Sequence, residues 1–198
     1  METAITKTKV ALRRRMNESL AAVTPGEAHA RSATLHKLLA GMHELTSAEW
    51  LMGFVSFGAE VHTHELLRAL IADGRHVCVP SFDPVGQRYI CSELKHFDWD
   101  MKEGALGILE PRHDAVRPVH ADKIDAWLVP GLAFDKHGNR LGRGRGYFDQ
   151  LLHGARGVKI ALAYDFQLVS EVPVEPHDVR LDFIVTETQI VHCKRTDQ

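Results

Sequence analysis

The chain has no apolar run approaching the ~18 residues that a membrane-spanning helix requires. Met1 to Lys9 is polar and lacks the apolar segment of a secretory leader. Both absences point away from the membrane and toward the cytoplasm. Cysteine is scarce. Cys78, Cys91 and Cys193 are odd in number and widely spaced, which argues against a disulfide framework or a CxxC zinc or redox centre. Reduced, cytosolic thiols fit that pattern. There is no excess of charge of one sign either. Lys plus Arg is 24 and Asp plus Glu is 26, a formal net charge of −2, so a nucleic-acid binder relying on bulk positive charge is disfavoured. Trp50, Trp99 and Trp127 are scattered in the manner of core or rim residues, with no base-stacking platform among them. Internal repeats and low-complexity stretches are missing.

What remains is an ordinary globular composition, 44% hydrophobic and 25% charged over 198 residues. That suits one domain spanning 1–198, acting as a monomer and large enough to bury roughly 70% of its unfolded surface. The 13 histidines are unusual, and their partial protonation near pH ~6 carries the net charge from negative to positive. His62 and His64 form an HxH pair, and His29 and His36 are seven apart. No third and fourth ligand at zinc spacing accompanies them, so they read as surface and cap residues.

Hydrophobic spacing and turn residues give the organisation. Lys9 to Leu20 reads as a helix carrying Lys9, Arg13, Arg14 and Arg15. Thr24-Pro25-Gly26-Glu27 is a helix start, with a threonine cap, proline at the first helical position and glutamate completing a capping box. Leu35, Leu38 and Leu39 give that helix an inner face, and Gly41 ends it. Trp50 to Phe57 reads as a buried strand, and Thr63 as the cap of a helix from His64 to Asp73 ended by Gly74. His76 to Val79 reads as a strand stopped by Pro80, so the unit is βαβ and its strands pair in parallel. Arg88 to Leu94 is another strand, placed at an edge. Ala126–Val129, Val158–Ala163 and Asp182–Thr186 are further strands, and a helix opens near Gly146. Alternating strands and helices predict a three-layer α/β sandwich with a mostly parallel central sheet, Rossmann-like, with ligands at the carboxyl ends of the strands.

The most informative segment runs from Pro130 to Asp149. Gly142, Gly144 and Gly146 alternate with Arg143 and Arg145, and Arg140 lies just upstream. Glycines let backbone N–H groups approach an anion, a following helix start adds its dipole, and guanidinium forks suit phosphate oxygens. The pattern predicts a polyphosphate cradle; the alternative is a glycine-rich surface turn with solvated arginines. No GxxxxGK[ST] string exists, the spacing is GxGxG rather than GxGxxG, and Ser56 misses the nucleophile-elbow spacing by one residue.

The stretch Val129–Asp149 resembles the signature loop of the 5-formyltetrahydrofolate cyclo-ligase (methenyltetrahydrofolate synthetase) family. Four further segments match in order: Lys9-Val10-Ala11-Leu12-Arg13, Glu60-Val61-His62-Thr63, Gly107-Ile108-Leu109-Glu110-Pro111, and His177-Asp178 followed by Asp182. The chain departs from the family pattern at Phe148, usually tyrosine, at Arg145, often small or lysine, and at Ser81, where arginine is frequent. The resemblance implies a NagB/RpiA/CoA-transferase-like fold. It also implies an enzyme that uses ATP and Mg²⁺ to turn 5-formyltetrahydrofolate into 5,10-methenyltetrahydrofolate, with release of ADP and phosphate.

By the same resemblance, Lys9 and Arg13 touch ATP phosphates, and Arg140, Leu141, Gly142, Arg143, Gly144, Arg145, Gly146, Tyr147 and Phe148 wrap the nucleotide. Arg145 and Tyr147 are the catalytic residues; Val55, Glu60 and Tyr147 contact the folate; Asp149 and Asp178 hold Mg²⁺. Read without the resemblance, Lys9 and Arg13 form a solvated helix face, Glu60 is a loop carboxylate, Asp149 complements a helix dipole and Asp178 is a turn residue. Two other functions compete. A small-molecule kinase or phosphatase would need an acceptor base or nucleophile motif that is not visible. A phosphate- or RNA-binding module would need a broad basic face, which the charge balance opposes.

Overall fold

The computed structural model describes residues 4–104, 107–144, 146–175 and 178–193. The first half contains helices α1 (Ala4–Ala21), α2 (Pro25–Ala40) and α3 (His43–Thr46), then β1 (Trp50–Met52), α4 (His64–Ala72), β2 (His76–Asp83) and β3 (Arg88–Leu94). A small insertion follows: α5 (Phe97–Asp100), β4 (Met101–Glu103), β5 (Leu109–Pro111) and β6 (Pro118–Val119). The second half contains β7 (Ala126–Val129), β8 (Ala133–Phe134), β9 (Arg140–Leu141), α6 (Tyr147–Leu152), β10 (Val158–Leu162), β11 (Phe183–Val185) and β12 (Ile190–His192).

Among the described residues the main sheet has eight strands in the order β12-β11-β10-β7-β1-β2-β3-β6. The five from β11 to β2 pair in parallel, and β12, β3 and β6 run antiparallel at the two sides. Strand alternation divides the core in two. Leu51, Val77, Leu128 and Ile160 face one layer with Leu12, Leu35, Leu39 and Leu67 from α1, α2 and α4. Met52, Cys78, Trp127 and Ala161 face the other, with Leu151 and Leu152 of α6. All four residues of β7 are buried, as the two-sided covering of a parallel strand requires. The expected three-layer, mostly parallel α/β architecture is thus observed.

α2 starts as expected. Thr24 Oγ1 accepts from the Glu27 N–H, and Glu27 reaches back to the Thr24 N–H at 2.9 Å. Four other expectations need correction. The strand at Trp50 ends at Met52, because Gly53 donates to the Cys78 carbonyl and the chain then leaves the sheet. β2 does not stop at Pro80 but continues to Asp83, paired with β3 throughout. The Cys78 carbonyl faces β1, so the Pro80 nitrogen, two residues on, also points to that side, beyond the end of β1 where no donor is needed. Thr63 sits at the start of α4 but does not cap it. Its hydroxyl donates to the Phe54 carbonyl at 2.6 Å and accepts from the Ser56 N–H at 3.1 Å, while its own N–H donates to Ser56 Oγ. These bonds close residues 56–63 into a loop standing over the end of β1. Finally, β3 is not the outermost strand, since β6 pairs with it.

Two carboxylates, one at each end of the sheet, hold its elements in place. Asp125, just before β7, accepts from the N–H groups of Glu49 and Trp50 at 2.9 and 2.8 Å, locking the start of β1 against β7. Asp135, fully buried between β8 and β9, accepts from the N–H groups of His137, Asn139 and Val172 and from Asn139 Nδ2. Replacing Asp135 with alanine leaves these donors unpaired in the interior. The expected loss is about 3 kcal/mol of folding stability, measured as a lower urea midpoint at unchanged m value.

Candidate active site

The chain leaves β1 toward β2 on one side and returns to β7 on the other, so the strand order reverses beside β1. Open α/β sheets form their crevice at such a point, beyond the carboxyl ends of the strands. Here it is a cleft of about 650 Å³. Phe54, Val55 and Glu60 follow β1; Pro80, Ser81 and Phe82 come from β2; Pro130 and Gly131 follow β7; Arg140, Gly142, Arg143, Gly146, Tyr147 and Phe148 form the far wall. Two regions of different chemistry meet in it. One wall is apolar, with Pro80, Phe82, Tyr89, Leu109, Pro111 and Val116; the other carries Arg140, Arg143 and Asp149.

The glycine loop is shaped by backbone that only glycine adopts freely. Gly144 and Gly146 have φ of +96° and +68°, and Gly146 is the residue from which α6 starts. α6 is only 6 residues long, so its dipole is small and anion attraction falls to the arginines and the loop N–H groups. Arg13 of α1 donates from Nε to the Gly142 carbonyl at 3.0 Å, and its guanidinium lies against Gly144. Lys9, one turn earlier, is buried and donates to Glu175 at 2.7 Å and Asp178 at 2.9 Å. Burial alone depresses its pKa, but the two carboxylates outweigh that and hold it above the ordinary lysine value. Neither residue lies on a solvated face. α1 is instead pinned by them to the glycine loop and to the 175–178 segment.

Glu60 is the most perturbed carboxylate of the cleft. Its side chain is 11% exposed. Arg143 donates to it through Nε and Nη2 at 3.0 and 2.8 Å, and the Phe57 N–H donates at 3.2 Å. Arg143 in turn lies 4.5 Å from the centroid of the Phe57 ring. Burial pushes the Glu60 pKa up, and the attraction of Arg143 only partly opposes it. Across the loop, Asp149 accepts from Arg140, whose Nη1 also donates to the Pro130 carbonyl at 3.2 Å; among the described residues the buried Arg140 Nε has no hydrogen-bond partner. Tyr147, 36% exposed, stacks on Tyr89 with ring centroids 4.2 Å apart, and Tyr89 leans on Phe82 at 5.4 Å.

The structure therefore brings Val55, Glu60, Arg140, Gly142, Arg143, Gly146, Tyr147, Phe148 and Asp149 to one cleft wall or another. Leu141 is core, fully buried and paired with Ala133, and Gly144 lies behind the wall against Arg13. Lys9, Arg13 and Asp178 support the site from outside the lining. Arg145 and His177 lie outside the described residues. The two carboxylates proposed for a metal meet different cations, Asp149 meeting Arg140 and Asp178 meeting Lys9. Among the described residues, no group of three or more His, Cys, Asp or Glu side chains could hold a metal ion. Phe82 and Tyr89 were not legible as site residues. Only their places in the pairing of β2 with β3, directly opposite one another, bring them over the cleft.

A cleft of this size, at the strand ends of a parallel sheet, with a cationic loop facing an apolar shelf, defines a small-molecule enzyme. Residues 5–187 match the model of the 5-formyltetrahydrofolate cyclo-ligase family, and the chain belongs to that family of ligases. It is 30% identical to the 5-formyltetrahydrofolate cyclo-ligase of Haemophilus influenzae, over 85% of this chain and 90% of that one. It is 32% identical to the enzyme of the same name from Mycolicibacterium smegmatis, over 83% and 84% of the two chains. Among solved structures it resembles the 5,10-methenyltetrahydrofolate synthetase of Aquifex aeolicus, with a TM-score of 0.82 at 26% identity, covering 96% of this chain and 94% of that one. No helix of the described residues is long and apolar enough to cross a membrane.

The balance at Glu60 is testable. Arg143→Ala removes the cation that opposes burial, so the Glu60 pKa, already raised, goes higher. A group with a raised folded pKa stabilises the protein below its unfolded pKa and loses that contribution as pH rises through the folded value. In Arg143→Ala the Glu60 carboxyl therefore titrates at higher pH, and stability falls further than in the parent between mildly acidic and neutral pH. Carbon-13 NMR of the Glu60 carboxyl and urea titrations across that range check both.

Proposed function

We propose that the protein converts 5-formyltetrahydrofolate to 5,10-methenyltetrahydrofolate at the expense of ATP, releasing ADP and phosphate. The observation that supports this reading is the Glu60–Arg143 pair, a carboxylate suited to a pterin and a guanidinium suited to a phosphate, side by side in one cleft. A carboxylate can accept from two neighbouring ring N–H groups, and the shelf of Phe82, Tyr89 and Tyr147 offers aromatic faces beside it. Val55 adds an apolar contact at the same end. Arg140, Arg143, Arg145 and the loop N–H groups receive the polyphosphate, with Lys9 and Arg13 holding the loop from α1. The protein is read as a cytosolic monomer.

The chemistry suits such a site. The formyl oxygen attacks the γ-phosphorus, the bond to the β-phosphate oxygen breaks, and ADP leaves. The N10 electron pair then attacks the activated formyl carbon, the carbon–oxygen bond breaks with departure of phosphate, and N10 loses its proton. Both steps need alignment and charge neutralisation more than covalent help from the protein. Arg145, and Tyr147 at the start of α6, are assigned to the transferring phosphoryl group and the folate that meets it.

The donor set fits Mg²⁺ in part. Asp149 supplies a hard oxygen on the cleft wall beside the arginines, and one carboxylate with substrate phosphates and water suits that ion. Asp178, held by Lys9 and by the Glu175 N–H, supports the segment behind the loop. When bound, Mg²⁺ supplies charge neutralisation of the phosphate oxygens.

Mixing the protein with 5-formyltetrahydrofolate and Mg-ATP is expected to produce the near-ultraviolet absorbance of methenyltetrahydrofolate, with one ADP per product. Formation at the same rate without nucleotide overturns the reading. Glu60→Gln is expected to weaken folate binding by about tenfold, one lost charge-assisted hydrogen bond, with nucleotide affinity retained. Unchanged folate affinity would move Glu60 out of the folate site. Asp149→Asn is expected to raise the Mg²⁺ concentration for half-maximal activity, with recovery at excess Mg²⁺. A fall in thermal stability without recovery would leave Asp149 as a partner of Arg140 only.

A further inference from the structure

The side chain of Glu60 is held by Arg143 and Phe57, but its main chain is held from elsewhere. Tyr164, just past the end of β10, is fully buried and donates its hydroxyl to the Glu60 carbonyl at 3.1 Å. Ser32 of α2, whose hydroxyl donates to the Ala28 carbonyl at 2.6 Å, holds the next turn of the same loop by accepting from the His62 N–H at 2.9 Å. Tyr164 is itself fixed. Its N–H donates to Gln167 Oε1 at 2.8 Å, its ring packs on Phe166, and Arg31, paired with Glu187, lies 5.8 Å from the ring centroid. The Glu60 loop is thus tied to its own stem by Ser56 and Thr63, and across the cleft's switch point by Tyr164 and Ser32. Neither of these two residues lines the cleft.

We infer that Tyr164, aided by Ser32, is a positioning residue for Glu60: it fixes the height and angle at which that carboxylate enters the folate end of the cleft. A carboxylate that accepts two neighbouring N–H groups must sit within a few tenths of an ångström and 10–20° of the productive geometry, roughly the tolerance of built sites. Arg143 alone cannot supply this, because a nucleotide phosphate competes for the same guanidinium. The main-chain bond from Tyr164 is independent of nucleotide. It gives Glu60 a fixed position whether or not Arg143 turns toward phosphate. The inference rests on the reading of Glu60 as the folate-facing carboxylate.

Tyr164→Phe removes the hydroxyl and keeps the ring. Steady-state kinetics are run on the parent, Tyr164→Phe, Glu60→Gln and the double variant, with thermal midpoints for each. The expected result is a KM for 5-formyltetrahydrofolate raised about two- to tenfold in Tyr164→Phe, the range for loss of one neutral hydrogen bond, with KM for ATP within about twofold of the parent. On the Glu60→Gln background the same change is expected to add nothing, since Tyr164 acts only through Glu60. Ser32→Ala should repeat the pattern more weakly. An unchanged folate KM in Tyr164→Phe, or an effect that adds fully to that of Glu60→Gln, overturns the inference, as does a parallel fall in kcat and thermal midpoint with both KM values moving together. If Glu60→Gln itself leaves the folate KM unaltered, it is the reading of Glu60 that fails; if Glu60→Gln acts and Tyr164→Phe does not, only the positioning role fails.

Discussion

The parallel pairing of β1 with β7 is the constraint from which the rest of the molecule follows. It involves only Leu51 with Ala126 and Met52 with Trp127, secured at one end by the Asp125 carboxylate. On either side of this seam the chain departs in opposite directions, so the segments that follow the two strands cannot cover each other. The gap between them is the cleft. Its two walls inherit different chemistry because they come from different parts of the sequence. The residues after β1 supply Val55 and Glu60, and those after β7 supply the arginines.

The cleft holds its charges in ion pairs, Glu60 with Arg143 and Asp149 with Arg140, and behind the loop Lys9 lies between Glu175 and Asp178. Partly buried charges left alone would be costly, and pairing offsets part of that cost. A charged ligand entering such a site exchanges partners with groups already ordered for it. The protein has therefore met much of the conformational cost of binding during folding, which is the energetic meaning of preorganisation.

The sequence made some of this visible and concealed the rest for identifiable reasons. Local signals were strong where the chemistry was local. The Thr24–Glu27 capping box, the βαβ unit from Trp50 to Val79 and the strand–loop–helix around Gly142 are each readable within a short window. The reading at Pro80 failed because the rule concerns the missing donor, and here that donor would face the open side of the strand. Strands β4, β5, β6, β8 and β9 are two or three residues long, too short for any periodicity. Lys9 and Arg13 looked like a basic helix face, and nothing near them in sequence announces partners 169 and 129 residues away. The ordered series of family segments did place Glu60, Val55 and the glycine loop in one site, but it said nothing of Tyr164, whose contact runs through a main-chain carbonyl. A residue that recognises backbone leaves no mark on the identity of its partner.

The span of those contacts has a further consequence, for how the molecule is made. α1 is made long before its polar anchors at Gly142 and Asp178, which lie in the second half of the sequence. At about 5–20 residues per second, several seconds separate the synthesis of Lys9 from that of its partners. During that interval Leu12, Leu35 and Leu39 can bury in the apolar core, but α1 lacks its polar anchors. Closure of the glycine loop against α1 is therefore a late event of assembly, which cannot precede the synthesis of Gly142 and Asp178.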